Sequence, residues 1–171
     1  MKKISFIFII TIFFFFKINL AYSNNNTAFI DLDLILNKTI IGKKLLGDLE
    51  LINNNNIQEL QKKELELKKD EEEIKKKQNV ISQEQFDLEV KKLQDKVKKY
   101  RDKKNQMVTS LDQKKKENLS NFFKKINPII QNYMDTNSID ILLERKNVFI
   151  GKNKSDITEI IIKEIDNKFK N

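Results

Sequence analysis

The chain has 171 residues, a formal net charge of +8, 34% charged and 39% hydrophobic residues, and few backbone breakers: Gly42, Gly47, Gly151 and Pro128. That profile fits long helices or coiled coil and argues against a loop-rich globular enzyme. The absence of cysteine and histidine excludes disulfides, thiolate metal sites, catalytic thiols, imidazole general bases and a lipoprotein anchored through a lipidated cysteine.

At the amino terminus, Met1-Lys2-Lys3 precedes the apolar run Ile4–Phe16, and Ala21-Tyr22-Ser23 follows. This is the layout of an export signal, residues 1–23, with cleavage expected after Ser23. A membrane span needs roughly 20 apolar residues, and Lys17 and Asn19 interrupt this run first, which sets a retained anchor second. Loss of Lys2, Lys3 and Lys17 takes the net charge from +8 to +5. The remainder, 24–171, reads as one domain.

Thr27–Asp33 reads as a short strand ending in a helix cap, with Asp31 or Asp33 as N-cap for a helix opening at about Leu34. Leu36, Ile40, Ile41, Leu45, Leu46, Leu49 and Ile52 follow at helical spacing. Gly42 and Gly47 inside this helix each cost about 1 kcal/mol against Ala, and allow either a close backbone neighbour or a bend. Asn53–Asn56 carries no proline, so the helix is expected to continue to about Gln78.

Within it Leu60, Leu67, Ile74 and Ile81 recur every seven residues. Phe86, Val90, Leu93, Val97, Tyr100, Met107 and Leu111 then recur at steps of four and three, with Lys104 in the one missing position. Such spacing makes a narrow apolar seam that another helix buries. Between the runs Ser82 can cap a new helix, with Gln85 completing a capping box and Ile81 against Phe86 as a hydrophobic staple. The chain therefore reverses near residues 79–82, placing Ile74 near Phe86, Leu67 near Leu93 and Leu60 near Tyr100. Each arm would be about 65 Å long at helical rise. The outgoing helix continues past a stutter between Leu111 and Leu119 and past Pro128, which should bend or weaken it, to about Asn137.

Two features of the arms carry charge without suggesting catalysis. Asp70-Glu71-Glu72-Glu73 point in four directions around a helix and cannot converge on one cation, so a solvated face is expected. Ser82 has no histidine partner and is accounted for as a cap. From Lys91 to Lys116 the chain carries eleven basic and three acidic side chains. The stripe includes Lys91, Lys92, Lys96, Lys98, Lys99, Arg101, Lys103 and Lys104. Nucleic acid is disfavoured by the export signal, the presence of only two arginines and the lack of stacking aromatics beyond Tyr100. Anionic lipid or lipopolysaccharide surfaces and acidic polypeptides suit an exported protein better, beside the plain reading of a solvated helix surface.

Past the arms the period changes. Ile139–Glu144 and Asn147–Ile150 read as a β-hairpin around Arg145-Lys146 closed by Gly151, and 156–169 as a terminal helix capped by Asp156 or Ser155. The expected fold is thus α+β and mostly helical. It has a small β body of three short strands per chain, at 27–33 and within 139–151, and a long antiparallel helical coiled-coil hairpin over 34–137. Phe29, Ile30, Ile141, Leu143, Phe149 and Ile150 form its body and oligomer core. That apolar content is too large to leave wet and too small for a solid core, so assembly of several copies is expected. No catalytic, cofactor-binding or metal-binding residue can be named, and no cofactor is expected.

In this order and spacing the chain resembles the Skp (OmpH-like) family of periplasmic chaperones. The matching pieces are Ala28-Phe29-Ile30-Asp31, Ile35–Leu46 with Gly42-Lys43-Lys44, Ile139–Ile150, and Ser155-Asp156-Ile157-Thr158. The resemblance implies a non-enzymatic homotrimer whose strands build a central barrel and whose three hairpins surround a cavity. Such a protein holds unfolded outer-membrane β-barrel proteins in the periplasm without ATP. A structural spacer or tether in the envelope is the alternative use of the same hairpin.

Overall fold

A computed structural model describes residues 26–170. The elements run β1 (Thr27–Ile30), α1 (Leu32–Lys38), α2 (Ile40–Lys77), α3 (Gln83–Thr136), β2 (Ile141–Glu144) and α4 (Thr158–Lys168), with 3-10 turns at Arg145–Asn147 and Asn153–Ser155. The signal sequence expected over residues 1–23 lies outside the described residues.

Short polar side chains set the helix starts. Asp31 caps α1, its Oδ1 accepting from the Leu34 amide at 2.8 Å. Ser82 caps α3, accepting from the Gln85 amide at 3.3 Å. Thr39 departs from the expected continuous helix: its extended backbone ends α1 and caps α2. Its buried hydroxyl donates to the Ile35 carbonyl at 2.8 Å and accepts from the Gly42 amide at 3.2 Å. A threonine hydroxyl that satisfies backbone groups on both sides offers the chain an alternative to the helical ladder, which permits the break. Gly42 makes the turn possible, because a Cβ there would lie 2.0 Å from the Leu36 carbonyl oxygen.

Helices α2 and α3 pack on each other along the seam. Leu60, Leu67, Ile74, Ile81, Phe86, Leu93 and Tyr100 are half-buried, and Met107 is buried. The register is displaced from the expected one. Leu67 shares an opening with Lys96, Lys99 and Tyr100 rather than with Leu93, and salt bridges join Asp70 to Lys96 at 2.6 Å and Glu59 to Lys103 at 3.6 Å. The displacement arises at the tip. The Val80 and Ile81 amides still bond to the Lys77 carbonyl, so winding continues past Lys77 and the reversal falls later than Val80. The missing seam position is also Lys103, which is half-buried, and not Lys104, which is exposed. α3 runs unbroken through Pro128 to Thr136.

The end of α3 closes with the Ile139 amide bonded to the Met134 carbonyl at 2.9 Å across Ser138, whose φ is 52°. This is a Schellman-type cap with serine where glycine is the usual residue. Ser138→Gly relieves the left-handed strain, at some cost in unfolded-state entropy. It is expected to stabilise the body by up to about 1 kcal/mol, read as a higher denaturant midpoint at fixed protein concentration.

The sheet differs from the expected three strands. Among the described residues it has two, β1 and β2, paired in parallel from Thr27 opposite Ile141 to Ile30 opposite Glu144. Asn147–Ile150 forms neither a strand nor a hairpin with β2: it leaves a 3-10 turn and runs on unpaired. A strand exists only where a neighbour accepts its ladder, and β2 already uses one edge for β1. On its other edge β1 is bridged to Asp156, with the Ile157 amide donating to the Phe29 carbonyl at 3.1 Å. Asn26 ties the sheet to the end of α3, exchanging bonds with Asp140 and reaching the Ser138 carbonyl.

The core lies on one face of this sheet. Ala28 and Ile30 from β1 meet Ile35 from α1, Phe122, Ile126 and Ile130 from α3, and Ile161, Ile162 and Ile165 from α4. Leu142 packs against the same cluster from β2. No cluster residue lies between Leu45 and Phe122; over that interval α2 and α3 pack on one another.

Candidate functional site

Parallel pairing places Phe29 beside Leu143 on the sheet face opposite the core, since side chains alternate along a strand. That second face is only partly covered. The chain from Arg145 to Gly151 folds over Phe29, with the Arg145 guanidinium 5.9 Å from its ring centroid. A Cβ on Gly151 would stand 2.6 Å from the ring, so glycine is needed for the backbone to pass this close. Arg145 is held over the ring by a salt bridge to Asp156. Asp156 also accepts from the Thr158 amide at 3.0 Å and the Thr158 hydroxyl at 2.5 Å, and that hydroxyl accepts from the Asp31 amide at 2.9 Å. One carboxylate thus locks the segment after β2, the start of α4 and the end of β1 to one another.

What this lock presents outward is apolar. Phe149 is 98% exposed and Ile150 84% exposed, and Ile141 and Leu143 on the same side are also exposed. Of the six residues expected to form the body and oligomer core, Phe29 and Ile30 are therefore buried within one chain, and these four are not. Beside them Phe29, Arg145, Val148, Phe149, Ile150 and Asp156 line a recess of about 300 Å3. The intrachain core comes instead from Phe122, Ile126, Ile130, Ile161 and Ile165.

Along the arms the basic residues are divided by the seam. Lys91, Lys92, Lys96, Lys98, Lys99, Arg101 and Lys104 are exposed, and Lys103 is turned inward. Lys92 pairs with Glu89 within α3 at 2.7 Å; that hydrogen bond and then the ammonium charge hold the Glu89 carboxyl below its ordinary value. Lys96 crosses to Asp70, and the hydrogen bond followed by the carboxylate charge raises the Lys96 ammonium pKa. Lys91, Lys98, Lys99, Arg101 and Lys104 carry no salt bridge among the described residues. The acidic run is divided as well: Asp70 turns into the seam while Glu71 pairs with Lys75 along α2. Between the helices, Glu59, Lys63, Leu67, Asp70, Lys96 and Tyr100 line an opening of about 650 Å3.

The family model for outer membrane protein (OmpH-like) matches residues 26–165. A crystal structure of a candidate outer membrane chaperone (OmpH-like) from Caulobacter crescentus CB15 superposes with a TM-score of 0.78 over 84% of this chain and 85% of that one, at 19% identity. At that identity the likeness is one of fold. No curated protein matches the chain.

Proposed function

The chain belongs to the OmpH-like family, and from that premise we propose that it is an exported holdase. In this reading it encloses unfolded outer-membrane β-barrel proteins between its arms in the periplasm and keeps them from aggregating, with no catalysis and no nucleotide. The observation that carries the reading is a small body with one covered and one uncovered apolar face, set at the root of two long helices.

The uncovered face argues for assembly. Phe149, Ile150, Ile141 and Leu143 beside a free strand edge are an aggregation hazard in a lone chain. In a homotrimer the neighbour's segment pairs with β2 and buries these side chains, and Asn147–Ile150 becomes the third strand. α2 and α3 form an antiparallel coiled-coil hairpin in this reading, a geometry supported by the salt bridges Asp70–Lys96 and Glu59–Lys103. Three such hairpins on one ring leave a space between them. Unfolded clients expose apolar strands that associate edge to edge, and enclosure separates them. The unpaired lysines of α3 raise the encounter rate with acidic clients or anionic surfaces such as lipopolysaccharide.

The test is light scattering of an unfolded outer-membrane β-barrel protein diluted from denaturant into buffer containing chain 24–171, without nucleotide. Aggregation is expected to stop at about one trimer per client, from the one-cavity geometry. Unchanged scattering at several-fold excess would reject the holdase reading, and stable capture of a fixed envelope partner in its place would favour a spacer or tether.

A further inference from the structure

The seam between α2 and α3 is not uniform along the arm. Toward the tip Ile74, Ile81, Phe86 and Leu93 are half-buried on it, and toward the body Met107 and then Phe122 are buried. Between these stretches lie the opening of about 650 Å3 and a run of polar side chains at inward positions. Lys63 and Asp70 face inward from α2 and Lys103 from α3, all half-buried. Residues 59–70 cover about 18 Å of helix at ordinary rise. The opening is a solvent-reached groove, about twice the volume of the one of about 320 Å3 that Ile41, Leu45, Asn118 and Phe122 line nearer the body.

Two salt bridges cross the stretch, Asp70–Lys96 at 2.6 Å and Glu59–Lys103 at 3.6 Å. Near the tip, Lys75–Glu71 and Lys92–Glu89 each stay within one helix and tie nothing across. Both crossing pairs reach solvent, with side-chain exposures of 58% and 34% for the first and 44% and 46% for the second. Such pairs contribute little individually and are screened by salt. Here the apolar contact between the helices comes from half-buried Leu60, Leu67, Val97 and Tyr100 and is interrupted at inward positions by Lys63, Asp70 and Lys103.

We infer that residues 59–70 of α2 and 96–103 of α3 form a hydrated, ion-paired joint in the arm, at which the two helices separate and bend, and that ionic strength sets its stiffness. The segments on either side move as packed units. The joint is independent of what the arm holds, so it stands or falls separately from the holdase reading.

Hydrogen exchange of the assembled protein, followed by mass spectrometry, tests it. Salt is raised from about 0.01 M to about 1 M, which shortens the screening length from about 30 Å to about 3 Å. Exchange at 59–70 and 96–103 is expected to quicken several-fold, while 107–126 stays unchanged. The triple substitution Lys63→Leu, Asp70→Leu and Lys103→Leu fills the seam and should abolish the response. The swap Asp70→Lys with Lys96→Asp keeps both crossing pairs, one of them reversed, and should retain the response; its loss there overturns the joint even if the leucine variant fails to fold. A salt response spread evenly along the arm, or one that survives in a folded leucine variant, overturns the joint.

Discussion

Cutting Ile161 back to alanine is expected to cost about 2–5 kcal/mol, the range for emptying a close-packed aliphatic site. Ile161 is fully buried in α4, within a cluster that includes Ile35, Phe122, Ile126 and Ile165. The body has little other apolar mass, and a folded domain holds only about 5–15 kcal/mol in total, so one cavity removes much of its margin. Ile160, one residue earlier, is 42% exposed and supplies the internal control, since Ile160→Ala opens no cavity in the chain. The measurement is denaturant unfolding of both variants at one fixed protein concentration, because assembly links stability to concentration. Equal losses in the two variants would contradict the placement of the core.

The second large effect concerns assembly. If copies assemble as the trimer proposed above, Phe149→Glu combined with Ile150→Glu is expected to give monomers, read as a threefold fall in mass by light scattering coupled to size exclusion. Burial of a phenylalanine or isoleucine contributes about 1.5–3 kcal/mol each, and the proposed ring of three interfaces would repeat the loss three times. Unpaired carboxylates forced into the same contact add a desolvation cost. Neither side chain touches the intrachain core, so the far-ultraviolet helical signal should persist. An unchanged mass would show that this face is not where copies meet.

Local chemistry made much of the architecture legible from residues alone. Asp31 and Ser82 announce their helices because a short side-chain acceptor satisfies orphan amides wherever the chain opens a helix. The sevenfold run Leu60, Leu67, Ile74 and Ile81 lies on the interhelical face because that period admits little else. What escaped depends on contacts that sequence spacing does not encode. The break at Thr39 follows from one hydroxyl serving Ile35 and Gly42 at once. The seam register depends on how far winding continues past Lys77, and between Tyr100 and Met107 a step of three or four admits either Lys103 or Lys104 at the inward position. Asn147–Ile150 has the composition of a strand yet finds no partner within its own chain, since the 3-10 turn at Arg145–Asn147 carries it over Phe29 and not back along the free edge of β2. The body core residues Phe122, Ile126 and Ile165 read as helical stripes, and only the packing of three helices on one sheet face shows them to be a single cluster.

The two long helices meet the body differently. α2 starts afresh at Ile40 after the Thr39 break, while α3 continues unbroken from Gln83 at the tip to Thr136 in the body. At helical rise its 54 residues span about 80 Å. Its last turns, from Phe122 to Ile130, are gripped by α4 and the sheet. α3 is therefore a lever whose short end is embedded where α4 and the sheet meet. For the roughly 57 Å of arm that α2 spans, a tilt of about 10° at the root carries the tip through about 10 Å. Small repacking around Ile126 would be felt at the tip of the arm, and a load at the tip would be felt at Ile126.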